Sequence, residues 1–145
     1  MTRILLPTDG SESAHKAGEY AITAAELGSD IILLYVIDTD SLNSLSQPDL
    51  RDKLQIRLIK EGKKFINEFK QGIEDAKCQG YCKHVNITTL IREGKPEDVI
   101  LKTIEDESID QVILGKSHKS GLEKYFIGSI SKNVVKKANI SVKIV

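Results

Sequence analysis

Two rhythms of apolar positions alternate along the chain. Arg3 to Pro7, Asp30 to Ile37 and Ile109 to Leu114 are short, almost unbroken apolar runs, the pattern of parallel strands covered on both faces. Val85, Ile87 and Thr89 alternate with Asn86, Thr88 and Leu90, which predicts a strand toward the sheet edge; Ile140, Val142 and Ile144 alternate in a final strand to Val145.

Between these runs the period lengthens to that of a helix. Ser11 or Ser13 can cap a first helix whose stripe is Ala14, Ala17, Ala21, Ala24, Ala25 and Leu27, stopped at Gly28. From about Leu50 to Lys77, Leu54, Leu58, Phe65, Ile66, Phe69, Ile73 and Ala76 recur at three- and four-residue steps, predicting a long amphipathic helix with weak points at Gly62 and Gly72 and a stop near Gly80. Arg92-Glu93-Gly94-Lys95-Pro96 reads as a turn into a helix that starts at Pro96 and runs to about Glu107. Its Glu97 and Asp98 suit the positive end of the dipole, and Val99, Ile100, Leu101 and Ile104 are its core candidates. A last helix spans Ser129 to Ala138, with Lys136 and Lys137 in its final turn and Asn139 as its stop. Asp38 to Asp49 has no periodicity and reads as a mobile loop, a candidate lid or partner surface.

Strands alternating with helices predict an α/β sheet with right-handed crossovers. The 145 residues suit one domain, 1–145, with a real core. Lys plus Arg and Asp plus Glu both number 21, so no net field steers the chain to nucleic acid or an anionic membrane. No charged and apolar leader precedes Arg3, and no apolar run is long enough to span a bilayer, so a cytoplasmic setting is expected. Cys78, Cys82 and His84 lack the pairing and the fourth ligand of a zinc knuckle and read as ordinary thiols in a reducing compartment.

Candidate chemistry concentrates in Val112 to Ser131, where an apolar run ends in Gly115, a polar loop follows, and Gly128-Ser129 opens a helix. The first N–H groups of a helix lack partners and carry partial positive charge, so this arrangement suits a phosphate. Gly128 admits an oxygen-rich ligand to the backbone, and Ser129 can cap the helix or donate its hydroxyl. Gly115-Lys116-Ser117 mimics the end of a Walker A loop, but that motif needs a glycine where Asp110 stands.

The spacing of Gly115, the position of His118 and Gly128-Ser129 resembles the signature of the universal stress protein family, and Leu6-Pro7-Thr8-Asp9-Gly10-Ser11 is similar to its opening. The resemblance covers nearly the whole chain; it departs at His118, where the family has a second loop glycine. It implies a Rossmann-like fold, similar to the adenine nucleotide alpha hydrolases, with an open five-stranded parallel sheet in the order 3-2-1-4-5 and helices on both faces. It further implies a stress-response module that binds ATP or a related adenine nucleotide. Pro7, Asp9 and Val36 match the residues that frame the adenosine, with Thr8 beside them, while Gly115, Gly128 and Ser129 match those that bind phosphate. Ser131 offers a second hydroxyl, and Lys116 and Lys119 add positive charge.

Asp9 has two readings, as a holder of Mg²⁺ or a nucleotide hydroxyl and as a turn aspartate bonded to its own backbone. His118 has three: a strained obstruction of the loop, an imidazole aimed at phosphate or base, and a solvated loop histidine. The alternative functions are a family member that binds no nucleotide and works through protein contacts, and a slow ATPase; the sequence offers no activated nucleophile or placed base for efficient turnover. The resemblance also implies a homodimer paired through the last strand, which would cover an apolar edge.

Overall fold

A computed structural model describes residues 2–8, 18–22, 29–78, 85–114, 133–134 and 136–145; the side chains of 40, 41, 73 and 76–78 lie outside that description. Five strands, β1 (Arg3–Thr8), β2 (Asp30–Asp38), β3 (Asn86–Gly94), β4 (Gln111–Leu114) and β5 (Ser141–Ile144), form one sheet in the order β3-β2-β1-β4-β5. Every pairing is parallel. The helices are α1 (residues 18–22), α2 (Thr39–Asn43), α3 (Pro48–Cys78) and α4 (Pro96–Asp106), and residues 133, 134, 136 and 137 are also helical.

The continuous apolar runs of β1 and β2 follow from this order, because both strands are interior and successive side chains leave opposite faces. Ile4, Leu6, Ile31, Leu33, Tyr35 and Ile37 enter one core with Ala21 of α1 and Phe65, Ile66 and Phe69 of α3. Leu5, Ile32 and Leu34 enter the other with Val99 and Ile100 of α4, Val112 and Leu114 of β4, and Val134. Leu5, Leu6, Leu33 and Leu34 are wholly excluded from solvent, so truncating any of them to alanine is worth about 2–5 kcal/mol. Lys143 of β5 lies 5.8 Å from the ring of Tyr20, which sets α1 against β5 on the first face.

At the amino edge of the sheet Arg3 gathers three segments. Its guanidinium donates to Asp30 Oδ2 at 3.2 Å, the Glu107 carbonyl at 2.7 Å and Glu107 Oε2 at 3.4 Å, while its backbone N–H donates to Asp110 Oδ2 at 2.9 Å. The Asp110 N–H returns a bond to the Arg3 carbonyl at 2.9 Å, fixing the entry into β4.

Three expectations are corrected. Residues 39–43 form α2 rather than a shapeless loop, because Leu42, 5% exposed, docks the segment into the first core. Five residues with one apolar anchor are too short to display a helical period. Arg51 closes the connection by donating from Nη2 to the Leu45 carbonyl at 3.0 Å. The expected turn at Arg92 to Pro96 begins later, because β3 continues to Gly94 in register with Asp38. Arg92 belongs to the strand and reaches α4, donating to Thr103 Oγ1 at 3.0 Å and pairing with Asp106 at 3.4 Å. Leu101 is half-buried, and Thr103 takes the buried place on α4, its hydroxyl donating to the Val99 carbonyl at 2.7 Å. The stops expected at Gly28 and Gly80 lie outside the described residues, as do the side chains of Ile73 and Ala76, Cys82, His84 and most of the first helix's stripe.

Gly62 and Gly72 do not weaken α3 alike. A Cβ at Gly62 would stand 2.8 Å from Tyr35 Cδ1, whereas one at Gly72 meets nothing within 4 Å. Gly62 is the groove in which the buried Tyr35 ring rests. Gly62→Ala should therefore cost about 1–3 kcal/mol by overpacking, while Gly72→Ala should gain about 0.5–1 kcal/mol of helix stability. Urea unfolding of both variants checks this, and equal midpoints would refute the packing assigned to Gly62.

Candidate functional site

Because all strands are parallel, their carboxyl ends lie along one edge of the sheet. β1 pairs with β2 on one side and with β4 on the other, Ile4 opposite Gln111 and Leu5 opposite Val112. From β1 the sheet runs through β2 to β3 in one direction and through β4 to β5 in the other. The carboxyl ends of β1 and β4 are thus the topological switch point, the place where open α/β sheets take their ligands. The chain leaves β1 after Thr8 and β4 after Leu114, so segments more than a hundred positions apart depart from neighbouring strands.

Of the residues expected at the site, the described ones are Pro7, Thr8 and Val36. Pro7 is buried opposite Leu34, and Thr8, 6% exposed, stands opposite Tyr35. Val36 follows Tyr35 directly, is half-buried, and packs against the second core. The two-residue alternation puts Pro7 on the same face as Leu5, which is also the face of Leu34 and Val36. The structure therefore brings Pro7 and Val36 to adjacent strands, near the carboxyl edge, on one side of the sheet. Asp9, Gly115, Lys116, His118, Gly128, Ser129 and Ser131 lie outside the described residues. Among the described residues no cluster of histidine, cysteine, aspartate and glutamate could hold a metal.

α4 starts just beyond β3, after Gly94, whose φ of +153° disfavours any side chain and whose Cβ would meet Val99 Cγ2 at 2.6 Å. In the first turn of α4, Glu97 accepts from Asn133 Nδ2 at 2.8 Å with one carboxylate oxygen and from Lys137 Nζ at 2.6 Å with the other. Asn133 and Lys137 are four residues apart and share one helix face. Glu97 thus complements the dipole of its own helix, as expected, and also fastens the last helix to it. The four-residue spacing was visible in the sequence, but nothing there named the partner 40 residues away.

The all-parallel sheet with a core on each face defines a doubly wound, Rossmann-like α/β protein. The universal stress protein family model matches residues 1–145, and the chain belongs to that family. It is 30% identical over 158 aligned positions to the universal stress protein MJ0577 of Methanocaldococcus jannaschii, covering 99% of this chain and 93% of the relative. The solved structure of MJ0577 superposes with a TM-score of 0.83 at 31% identity, covering 99% and 94% of the two chains. The universal stress protein UspA from Lactobacillus plantarum gives 0.78 at 25% identity, over 99% and 97%. Two more distant structures share the fold. The Arabidopsis thaliana family member At3g01520, with AMP bound, gives 0.68 at 19% identity over 100% and 91%. A universal stress protein in complex with cAMP gives 0.62 at 16% over 99% and 95%. Among the described residues no helix is long and apolar enough to cross a membrane.

The Glu97 tie has a pH signature. The hydrogen bond from Lys137 holds the Glu97 carboxyl below its ordinary value of 4.5, and the same bond raises Lys137 above its ordinary 10.5. A carboxyl with a lowered folded value contributes stability that is present above 4.5 and lost as pH falls through the lowered value; the raised ammonium contributes below 10.5 and loses its share as pH rises beyond. Glu97→Gln should melt below the native chain at about pH 7, with the gap narrowing as the pH falls from 4.5 through the lowered Glu97 value. A gap that does not change with pH would mean that the ion pair contributes nothing.

Proposed function

We propose that this universal stress protein holds ATP or a related adenine nucleotide at the carboxyl ends of β1 and β4. The observation that supports this reading most is the adjacency of those two strands in a parallel sheet, which sends Thr8 and Leu114 toward one crevice. Pro7 and Val36 offer an apolar seat suited to the adenosine. Asp9 follows β1, where a carboxylate can take the ribose hydroxyls or a Mg²⁺ beside the phosphates. Gly115, Lys116, His118, Gly128, Ser129 and Ser131 supply the phosphate side, with backbone N–H groups at a helix start and the hydroxyls of Ser129 and Ser131. The AMP- and cAMP-bound neighbours indicate that this fold takes adenine nucleotides; the step to this chain rests on its own residues.

The role is that of a binding and signalling module. A second reading, a family member that acts through protein contacts and binds no nucleotide, is favoured by one residue, His118, which stands where the family's loop has glycine. Calorimetric titration of the nucleotide-stripped protein with ATP, with and without Mg²⁺, separates the two. Saturable micromolar binding, about 8 kcal/mol, is expected. Gly128→Val should abolish it by blocking phosphate approach, and His118→Gly should tighten it if the imidazole obstructs the loop. No heat at millimolar ATP, or unchanged affinity in both variants, would sink the nucleotide reading.

The proposed assembly is a homodimer paired along β5. This strand is the last in the sheet order and, among the described residues, pairs with β4 alone, and its Ile144 is 40% exposed. An edge of this kind invites a second copy related by a two-fold axis. Truncation after Asn139 should give monomers or aggregates in light scattering; a clean dimer from the truncated chain would refute the β5 interface.

A further inference from the structure

The outward face of α3 carries a line of residues with the spacing of a coiled-coil seam. Asp49, Lys53, Ile56, Lys60, Lys63, Asn67, Lys70 and Glu74 follow one another at alternating steps of four and three, and all eight are exposed. Such a line stays on one side of a helix. The opposite side is accounted for, since Gly62, Phe65, Ile66 and Phe69 are buried against the sheet. Helix α3 therefore has one seam facing its own sheet and a second facing solvent.

The content of the outer seam is ordered. Four lysines stand between Lys53 and Lys70 with no carboxylate among them, and a single acid closes each end, Asp49 and Glu74. Among the described residues none of these four lysines is ion-paired, whereas the neighbouring Arg57 is bound to Glu61 at 3.0 Å. At 1.5 Å per residue the cationic stretch is about 26 Å long. It also carries apolar surface: Ile56, inside the seam, is 67% exposed, and Leu50, beside Lys53, is 48% exposed. The chain as a whole is neutral, so this is a local field.

We propose that this seam docks an acidic amphipathic helix of another protein. The complementary segment has carboxylates at heptad spacing opposite the lysines, an apolar residue opposite Ile56, and neutral or basic residues opposite Asp49 and Glu74. Two helices crossing at about 20° keep such a seam in contact over several turns. A second copy of this chain does not fit, because α3 against α3, parallel or antiparallel, sets lysine against lysine. A phosphate backbone does not fit either, since it gains nothing from Ile56 and Leu50 and is repelled by the acids at both ends. Two apolar residues are too few to seat the helix in a bilayer surface.

The test uses a synthetic helical peptide of about 28 residues, glutamate at seam positions, leucine opposite Ile56 and lysine at both ends, labelled for fluorescence anisotropy in about 0.15 M salt. The full-length protein should bind it saturably, and at least tenfold more tightly than a scrambled peptide of the same composition. Lys60→Glu/Lys63→Glu should weaken binding by at least about tenfold and Ile56→Ala by several-fold. The control Lys102→Glu/Lys136→Glu, with the same charge change on the other side of the sheet, should bind like the native chain. Equal affinity for the scrambled peptide, no binding at all, or equal loss in the control would overturn the proposal. Tighter binding of a DNA duplex or of phosphatidylserine vesicles would overturn it in favour of phosphate. ATP has no part in this assay, so its outcome does not depend on the nucleotide reading.

Discussion

The structure depends on one constraint, that β1 and β2 are buried on both faces. A strand with two apolar sides demands a helical layer on each, and the two-residue alternation of side chains divides the demand evenly. Ile4 and Leu6 call for α1 and α3, while Leu5 calls for α4 and the last helix. Parallel pairing follows, because each return to the amino edge must pass through one of those helices. Everything placed at the carboxyl edge is there because the core below it is satisfied on both sides.

The two ends of the strands consequently serve different purposes. At the amino edge Arg3, Asp30, Glu107 and Asp110 satisfy one another and fix the register of β1 against its neighbours. At the carboxyl edge the strands finish in Thr8, Asp38 and Leu114 and hand over to connecting segments. Polar groups on the first edge are bound to one another across three segments.

Most of this fold was legible in the sequence, and the reasons differ by element. The apolar run of Asp30 to Ile37 located β2, and the three- and four-residue recurrence from Leu54 to Phe69 located α3 to within two residues at its start. Pro96, with Glu97 and Asp98 behind it, marked the start of α4. What escaped was decided by tertiary contact. Five residues hung on Leu42 carry no period, the charges of Arg92 and Glu93 looked like a turn until the register with Val36 and Ile37 kept them in a strand, and Thr103 is buried because Arg92 and the Val99 carbonyl satisfy its hydroxyl. At the candidate site, Pro7 and Val36 were legible as strand ends in a known topology. The partnership of Glu97 with Asn133 and Lys137 was not, since a pair of i and i+4 donors has no address until the helices are packed.

The pairing of β1 with its two neighbours bears on how the chain reaches this state. Arg3 meets Asp30 across 27 positions, but Ile4 meets Gln111 across 107. Closing the longer loop costs more chain entropy before any contact compensates it, so β3, β2 and β1 can assemble while β4 is still unattached. The junction of β1 with β4 therefore rests on a much longer loop closure than that of β1 with β2. A sheet without β4 in place lacks the junction, so any ligand of that junction stabilises only the finished protein.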